Sequence, residues 1–158
     1  MASDFKYSID TSALVHAYQR SYPPDILPDL WDKRLDELIE SGQLFAAYDV
    51  LEELERKHDD LFAWAKDRPA LFVELDQYEA ELSSIMAEFP RLVDTKKGKS
   101  GADPMVISLA LSHNPRLVVV TEEAFGSERS PRIPDVCGKR DLRCINMLQF
   151  IRDQEWKF

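Results

Sequence analysis

The amino-acid sequence predicts an α/β fold with a mostly parallel central sheet of about four to five strands, flanked by helices. Segments with the pattern of strands alternate along the chain with segments of helical periodicity, an order typical of parallel sheets. The run over 117–121 is continuously apolar, as expected of a parallel strand covered on both faces. The 158 residues suffice for one domain, 1–158, that buries its own core.

The first half of the chain is predicted to alternate strands and helices. Residues 5–9 alternate as a half-buried strand does, and Asp10 stands at the carboxyl end of this strand. The next predicted elements are a helix over 11–20, a helix over 28–41 closed by Gly42, and a strand over 43–48.

A long helical region follows the second predicted strand. Its predicted parts are a helix over 49–67, a break near Pro69 and a helix over 70–88. Asp49 and Glu52 have the spacing of a capping box, with Asp49 as N-cap and Glu52 at the third helical position. We expect the part over about 58–90 to form a helical insertion in the domain.

The second half is predicted to return to alternating helices and strands. Asp103 is a good N-cap, and Pro104 is favoured at the first position of a helix. The predicted elements are a polar basic loop over 94–101, a helix over 103–113, a strand over 117–121, a loop over 122–134, a strand over 142–146 and a closing helix over 147–156.

The composition excludes several classes of protein. With 44% apolar and 31% charged residues, the chain does not have the composition of a disordered protein. The longest apolar runs are too short to span a bilayer, so we expect no membrane association, and the first residues lack the apolar core of a signal peptide. Cys137 and Cys144 fit no metal-binding spacing, which favours reduced thiols in a cytoplasmic protein.

The net charge of −9 argues at first against a nucleic-acid-binding protein, but its distribution is uneven. Residues 1–90 carry 8 Lys and Arg against 20 Asp and Glu, whereas residues 91–158 carry 12 against 9. This asymmetry suits a carboxylate-rich site beside a phosphate-binding rim. It equally suits an acidic helical face with a basic surface loop, and charge alone does not decide between them.

Acidic side chains follow the predicted strands, at the sheet edge where α/β proteins bind their ligands. They are Asp10, Glu52, Glu53, Asp103, Glu122 and Glu123. Converging carboxylates repel one another unless a cation compensates them, and oxygen ligands suit Mg²⁺ or Mn²⁺. Each acid also has a structural interpretation, as an N-cap, a solvated helix start or a turn residue, and only their joint occurrence favours a metal site.

A carboxylate-bound divalent ion is suited to phosphodiester hydrolysis. It lowers the pKa of a bound water and, alone or with a second ion about 3.5–4 Å away, stabilises charge on the scissile phosphate. The sequence contains no nucleophile elbow, phosphate-binding glycine loop, zinc-protease motif or dinucleotide fingerprint. These absences exclude the corresponding enzyme classes as interpretations of the sequence.

Four segments of the sequence resemble, in order, the four acidic motifs of PIN domains, the superfamily that includes the VapC-type toxin ribonucleases. They are Ile9-Asp10-Thr11-Ser12, Val50-Leu51-Glu52-Glu53-Leu54, Ala102-Asp103-Pro104 to Ala110, and Val119-Val120-Thr121-Glu122-Glu123-Ala124-Phe125. The sequence is most similar to a PIN-like group of unassigned function that carries an early Tyr-Pro-Pro segment, here Tyr22-Pro23-Pro24, and a Trp-Asp pair, here Trp31-Asp32. The resemblance covers nearly the whole chain.

The resemblance implies that Asp10, Glu53 and Asp103 are catalytic metal ligands. The motif places its acid directly before Leu, which favours Glu53, and the predicted capping box gives Glu52 a structural task instead. Thr11, Ser12 and Thr121 are the expected supporting residues.

The fourth catalytic metal ligand is assigned to Glu123, with its neighbour Glu122 as the alternative. The Thr-x-Asp pattern of PIN domains maps onto Glu123, whereas Glu122 has the better spacing to Phe125. A Glu in place of Asp reaches farther, so a second ion is expected to be weakly held or absent.

The resemblance further implies a Mg²⁺- or Mn²⁺-dependent endoribonuclease, the toxin of a type II toxin–antitoxin module. The implied partners are an RNA substrate, a cognate antitoxin protein and a second copy of the chain. The alternatives are a structure-specific or RNA-processing PIN nuclease and a catalytically silent PIN-like binding module.

Basic residues around the predicted site are candidates for binding RNA phosphates. They are Lys96, Lys97, Lys99, Arg129 and Arg132, with Lys139, Arg140 and Arg143 as an extension of the same rim. The alternative for each of them is a solvated surface residue.

Overall fold

The computed structural model describes residues 4–92 and 101–158. Within these residues, five parallel strands form the sheet. The strands are β1 Tyr7–Ile9, β2 Leu44–Ala47, β3 Phe72–Val73, β4 Val118–Val120 and β5 Cys144–Ile145, and their order across the sheet is β3-β2-β1-β4-β5. The predicted α/β fold with a mostly parallel sheet is therefore confirmed.

Helices connect the strands and flank the sheet. The α-helices are α1 Thr11–His16, α2 Leu35–Glu40, α3 Tyr48–Lys57, α4 Asp59–Lys66, α5 Glu79–Glu88, α6 Asp103–Leu111, α7 Ile133–Lys139 and α8 Met147–Asp153. A π-helical segment, Ala17–Ser21, continues α1, and another, Leu30–Arg34, leads into α2. None of the helices in the described parts of the chain is long and apolar enough to cross a membrane.

The central strand β1 fixes the register of the sheet. Its Tyr7 pairs with Leu44 of β2 on one side and with Val118 of β4 on the other. All three residues of β1 are fully buried, and the Ser8 hydroxyl donates a hydrogen bond to the Val106 carbonyl of α6 at 2.9 Å. Because the strands are parallel, the residues that follow them meet at one edge, which we call the carboxyl edge.

Helix α6 packs directly on the sheet and is buried along most of its length. A helix that is apolar all round is expected in the interior of a protein. The consequence for the site is that the carboxyl group of Asp103, the first residue of α6, lies in the interior, and the residue is 2% exposed.

The helix predicted over 70–88 is wrong in its first half. A short 3-10 turn, Pro69–Leu71, leads into β3, where Phe72 pairs with Ala46 of β2. A second 3-10 turn, Leu75–Gln77, then precedes α5. Pairing with β2, a long-range contact, overrides the local helical pattern.

Two predicted helix starts are also wrong. Ala47 leaves β2 in an extended conformation and occupies the N-cap position of α3, so Asp49 already lies in the first turn and forms no capping bond. Ala102, not Asp103, precedes α6. In both cases the helix begins one or two residues earlier than the capping pattern indicates.

Helix α7 was not predicted, because the sequence pattern indicated a loop to residue 134. Pro134 lies in its first turn, and the Asp135 carboxylate accepts a hydrogen bond from the Arg132 backbone N–H at 2.8 Å. Proline in the first turn followed by an acidic residue is a helix-start signal that could have identified it.

Candidate metal centre

Three carboxylates meet at the carboxyl edge of the sheet. Asp10 follows β1, Asp103 begins α6, and Glu123 comes three residues after β4. One oxygen of each lies within 4.8 Å of the others. The fold thus brings together residues that are separated by up to 113 positions in the sequence.

Asp10 is 1% exposed and is held by two hydroxyl groups. Ser12 Oγ and Thr121 Oγ1 donate hydrogen bonds to the same oxygen, Oδ2, at 2.6 and 2.9 Å. Backbone N–H groups in turn orient these hydroxyls: that of Glu122 donates to Ser12 Oγ at 3.0 Å, and that of Glu123 to Thr121 Oγ1 at 3.1 Å. Burial raises the pKa of the Asp10 carboxyl, and these hydrogen bonds act in the opposite direction.

The Asp103 carboxyl shares a side-chain hydrogen bond with Glu123, and only one of its oxygens lacks a partner. Its Oδ1 is buried and has no hydrogen-bond partner. Burial, followed by the negative charges of Asp10, Glu123 and Glu53, raises the pKa of Asp103 to about 9. A carboxylate in this position is stable in the charged form only when a cation faces it.

Glu123 lies between the other carboxylates and the start of α7. Its Oε1 accepts a hydrogen bond from the Ile133 backbone N–H at 3.3 Å. Burial and the charge of Asp10 raise its pKa, whereas the hydrogen bond from Ile133 and the nearby Arg132 act against this shift. Glu123 is therefore turned inward, toward Asp10 and Asp103.

Its neighbour Glu122 has a different environment. Glu122 Oε2 accepts a hydrogen bond from the backbone N–H of Met147, the first residue of α8, at 2.7 Å. Its other oxygen lies 3.9 Å from His16 Nε2. The side chain of Glu122 thus fastens the start of α8 and is not part of the three-carboxylate group.

Glu53 lies beside this group without being one of the three. It is 7% exposed, accepts a hydrogen bond from Thr11 Oγ1 at 3.3 Å, and its charge helps to raise the pKa of Asp103. Glu52, one residue earlier on α3, is exposed. Burial therefore separates the two candidates, although the predicted capping role of Glu52 is wrong.

The carboxylates fit a hard divalent cation. Within residues 4–92 and 101–158, no Lys or Arg forms an ion pair with Asp10, Asp103 or Glu123. The buried oxygen of Asp103 without a partner, and a donor set made of oxygen alone, match what Mg²⁺ and Mn²⁺ require.

The basic residues predicted to form an RNA-binding rim are not all at this edge. Arg129 and Arg132 are exposed, and Arg132 lies near enough to Glu123 to lower its pKa. Arg140 pairs with Glu88, and Arg143 precedes β5 at the opposite edge of the sheet. Lys96, Lys97 and Lys99 lie outside the described residues.

The fold and the site define an α/β protein with a buried acidic centre at the carboxyl edge of a parallel sheet. The chain belongs to the family described as "Domain of unknown function (DUF4411)", whose sequence model matches residues 7–158. No curated protein matches the sequence.

Among solved structures, the chain is similar to one described as "VapBC2 from Rickettsia felis bound to a DNA fragment from their promoter". The TM-score is 0.52 at 16% sequence identity, with 90% of this chain and 98% of the other covered. At this identity the likeness concerns the fold, which is consistent with the PIN-like architecture.

Proposed function

We propose that this protein is a Mg²⁺- or Mn²⁺-dependent endoribonuclease of the PIN-like fold. The observation that carries the proposal is the group formed by Asp10, Asp103 and Glu123: one oxygen of each lies within 4.8 Å of the others, and Asp103 has a buried carboxylate oxygen without a hydrogen-bond partner. Such a group binds a hard cation and holds it next to solvent at the edge of the sheet.

Asp10, Asp103 and Glu123 would hold the ion, with Glu53 beside them. When bound, the ion supplies Lewis acidity toward water and toward an oxygen of the scissile phosphate. Ser12 and Thr121 keep the Asp10 carboxylate in one orientation through their hydrogen bonds to Oδ2.

Exposed cations next to the carboxylates support a polyanionic substrate. Arg132 lies near Glu123, and Arg129 is on the same exposed loop between β4 and α7. These two side chains would contact RNA phosphates and add a salt-dependent contribution to binding. Lys96, Lys97 and Lys99, which lie outside the described residues, are proposed to contact RNA phosphates as well.

We further propose that the nuclease is the toxin of a toxin–antitoxin pair. The likeness in fold to the VapBC2 structure supports this assignment. A free ribonuclease of this kind harms its own cell, so the assignment requires an antitoxin protein that covers the carboxylate edge. Expression of the wild type alone should arrest growth, expression of Asp10→Asn should not, and unimpaired growth with active enzyme would favour an RNA-processing nuclease instead.

The enzymatic proposal is tested with purified protein and total cellular RNA. Discrete fragments are expected with Mg²⁺ or Mn²⁺, and they should disappear with EDTA and in the Asp10→Asn variant. Glu53→Gln and Glu52→Gln form a matched pair on adjacent positions of α3: the buried acid should be required and the exposed one dispensable.

Calorimetric titration with Mn²⁺ separates the remaining outcomes. Metal binding without cleavage would leave a catalytically silent PIN-like binding module. Neither binding nor cleavage would contradict the metal centre as well as the enzyme.

A further inference from the structure

A cavity of about 360 Å³ lies directly beside the carboxylate group, between β5, α7 and the loop that follows β4. Thr121 and Glu123 form the wall that it shares with the candidate metal centre. Phe125, Pro134 and Ile145 supply apolar surface, and Asn146 adds a polar group. The volume lies at the lower end of the range for small-ligand sites, about 300–1,000 Å³.

Phe125 is the most exposed large hydrophobic residue in the described part of the chain, at 75%. The loop that carries it is nevertheless fastened, because Asp135 Oδ2 accepts hydrogen bonds from the backbone N–H groups of Gly126 and Arg132 at 2.7 and 2.8 Å. The loop is also tightly packed, since a Cβ at Gly126 would lie 2.2 Å from the Ser130 carbonyl oxygen. The ring is thus presented to solvent from a fixed position.

The surroundings of the ring match the chemistry of an unpaired nucleotide. Single-stranded nucleic acids are bound by aromatic rings that stack on bases and by cations that contact the adjoining phosphates. Here an exposed ring lines a mainly apolar cavity, a guanidinium lies near Glu123, and Glu123, one of the three acids that would hold the metal, is part of the cavity wall. A base in the cavity would therefore lie beside Glu123, which belongs to both the cavity wall and the carboxylate group.

We propose that this cavity receives one unstacked nucleobase next to the scissile phosphate, with Phe125 as its stacking surface. The substrate class is accordingly RNA that is single-stranded, or looped out, at the position of cleavage, because a base held in a duplex cannot enter the cavity. This inference rests on the proposed ribonuclease function and specifies its substrate.

Cys144 provides a direct probe of occupancy. It lines the cavity and is partly exposed, whereas Cys137 is buried. In the full-length Asp10→Asn protein, which should not cut its ligand, we expect a single-stranded RNA oligonucleotide to slow maleimide labelling of Cys144. The same sequence in a continuous duplex should leave the labelling rate unchanged. Mass spectrometry of the labelled peptide measures both rates.

Substitution of the ring tests the stacking surface. Phe125→Leu keeps an apolar side chain but removes the aromatic face, and should weaken binding of the single strand about tenfold. Phe125→Trp should retain binding. Phe5→Leu is the matched control, because Phe5 is also exposed, at 49%, but precedes β1 at the opposite edge of the sheet.

The outcomes separate this inference from the proposed function. Unchanged labelling of Cys144 under saturating single strand, or equal protection by duplex, would overturn the cavity as a base site. Metal-dependent cleavage with the same KM in wild type and Phe125→Leu would overturn it while leaving the nuclease intact. Protection of Cys144 by single strand in a protein that never cleaves would support the base site and contradict the enzyme.

Discussion

The pKa values of acidic side chains are shifted in opposite directions at the two edges of the sheet. At the carboxyl edge, burial raises the pKa values of Asp10, Asp103 and Glu123. At the other edge, Asp153 at the end of α8 has a lowered pKa, because Arg143 donates hydrogen bonds to both of its oxygens at 2.6 and 3.1 Å. At the opposite edge an arginine within the chain stabilises the ionised acid, whereas among the described residues no Lys or Arg forms an ion pair with the three acids at the carboxyl edge.

This contrast gives a physical reason for locating function at one edge. A carboxylate that already forms an ion pair with an arginine of the same chain needs no metal ion to stabilise its charge. A buried carboxylate without a cationic partner carries a cost in stability that a bound ion removes. The acids that destabilise the metal-free fold are therefore the ones expected to act on substrate.

The largest expected effect is the loss of RNA cleavage when an aspartate at the carboxyl edge is replaced by asparagine. The same replacement at the opposite edge is the comparison. Asp10→Asn should lower metal-dependent RNA cleavage by more than about 100-fold, since even loss of a partner of a metal ligand costs ~10–100-fold. Asp153→Asn should leave cleavage unchanged. Steady-state cleavage rates on a fluorogenic RNA measure the effect of each substitution. Similar losses of rate in the two variants would contradict the assignment of function to the carboxyl edge.

A smaller effect is expected from the hydroxyl that orients Asp10. Thr121→Val keeps the shape of a side chain that is 3% exposed but removes its hydrogen bond to Asp10 Oδ2. Metal affinity should fall ~10–100-fold. Thr121→Ser should restore most of it, and a Mn²⁺ titration that does not distinguish valine from serine would rule out the hydroxyl as the cause.

The pH dependence of stability should differ between the edges. In metal-free protein, Asp103 stays protonated in the folded state up to about pH 9, whereas the unfolded chain ionises it near its ordinary value. Its contribution to the free energy of unfolding is therefore present at low pH and is lost as the pH rises, with a slope of at most about 1.4 kcal/mol per unit.

Urea unfolding in EDTA between pH 5 and 8 measures this slope. Asp103→Asn should flatten the curve relative to wild type and should raise stability near pH 8. A steeper curve for the variant would show that the sign is wrong. Added Mn²⁺ should stabilise the wild type most at the upper end of this range, where the carboxylates are most readily ionised.

The smallest effect is expected at the satisfied edge. Asp153→Asn should lower the free energy of unfolding by about 1 kcal/mol or less, because the Arg143 side chain of the pair is partly exposed. This stabilisation is present above the ordinary pKa of the acid and is lost as the pH falls through the lowered value. The difference between wild type and variant should therefore vanish in acid, and a difference that persists at low pH would exclude the ion pair.

The sequence was sufficient to place most of the acids at one edge. Asp10 follows a strand whose pattern is clear, and the acids after 117–121 follow a continuous apolar run. The residues that follow parallel strands lie at the same edge of the sheet. The edge at which these acids lie can therefore be predicted without knowing how the side chains pack.

Adjacent residues were harder to separate. Glu122 accepts a hydrogen bond from the first backbone N–H group of α8, whereas Glu123 accepts one from the first backbone N–H group of α7. Helix α7 was not predicted, so the motif pattern that favoured Glu123 and the spacing that favoured Glu122 could not be weighed against this contact. Likewise β3 is two residues long, and its pairing with β2 is a long-range contact that local pattern does not encode.

The hydrogen bond from Thr121 to Asp10 joins residues that are 111 positions apart, and it has a consequence for biosynthesis. A growing polypeptide cannot close this bond, or bring Glu123 to Asp10, until Glu123 itself has left the ribosome. Partial translation products therefore lack the acidic centre altogether. The ribonuclease activity proposed above would therefore be absent until that part of the chain has emerged.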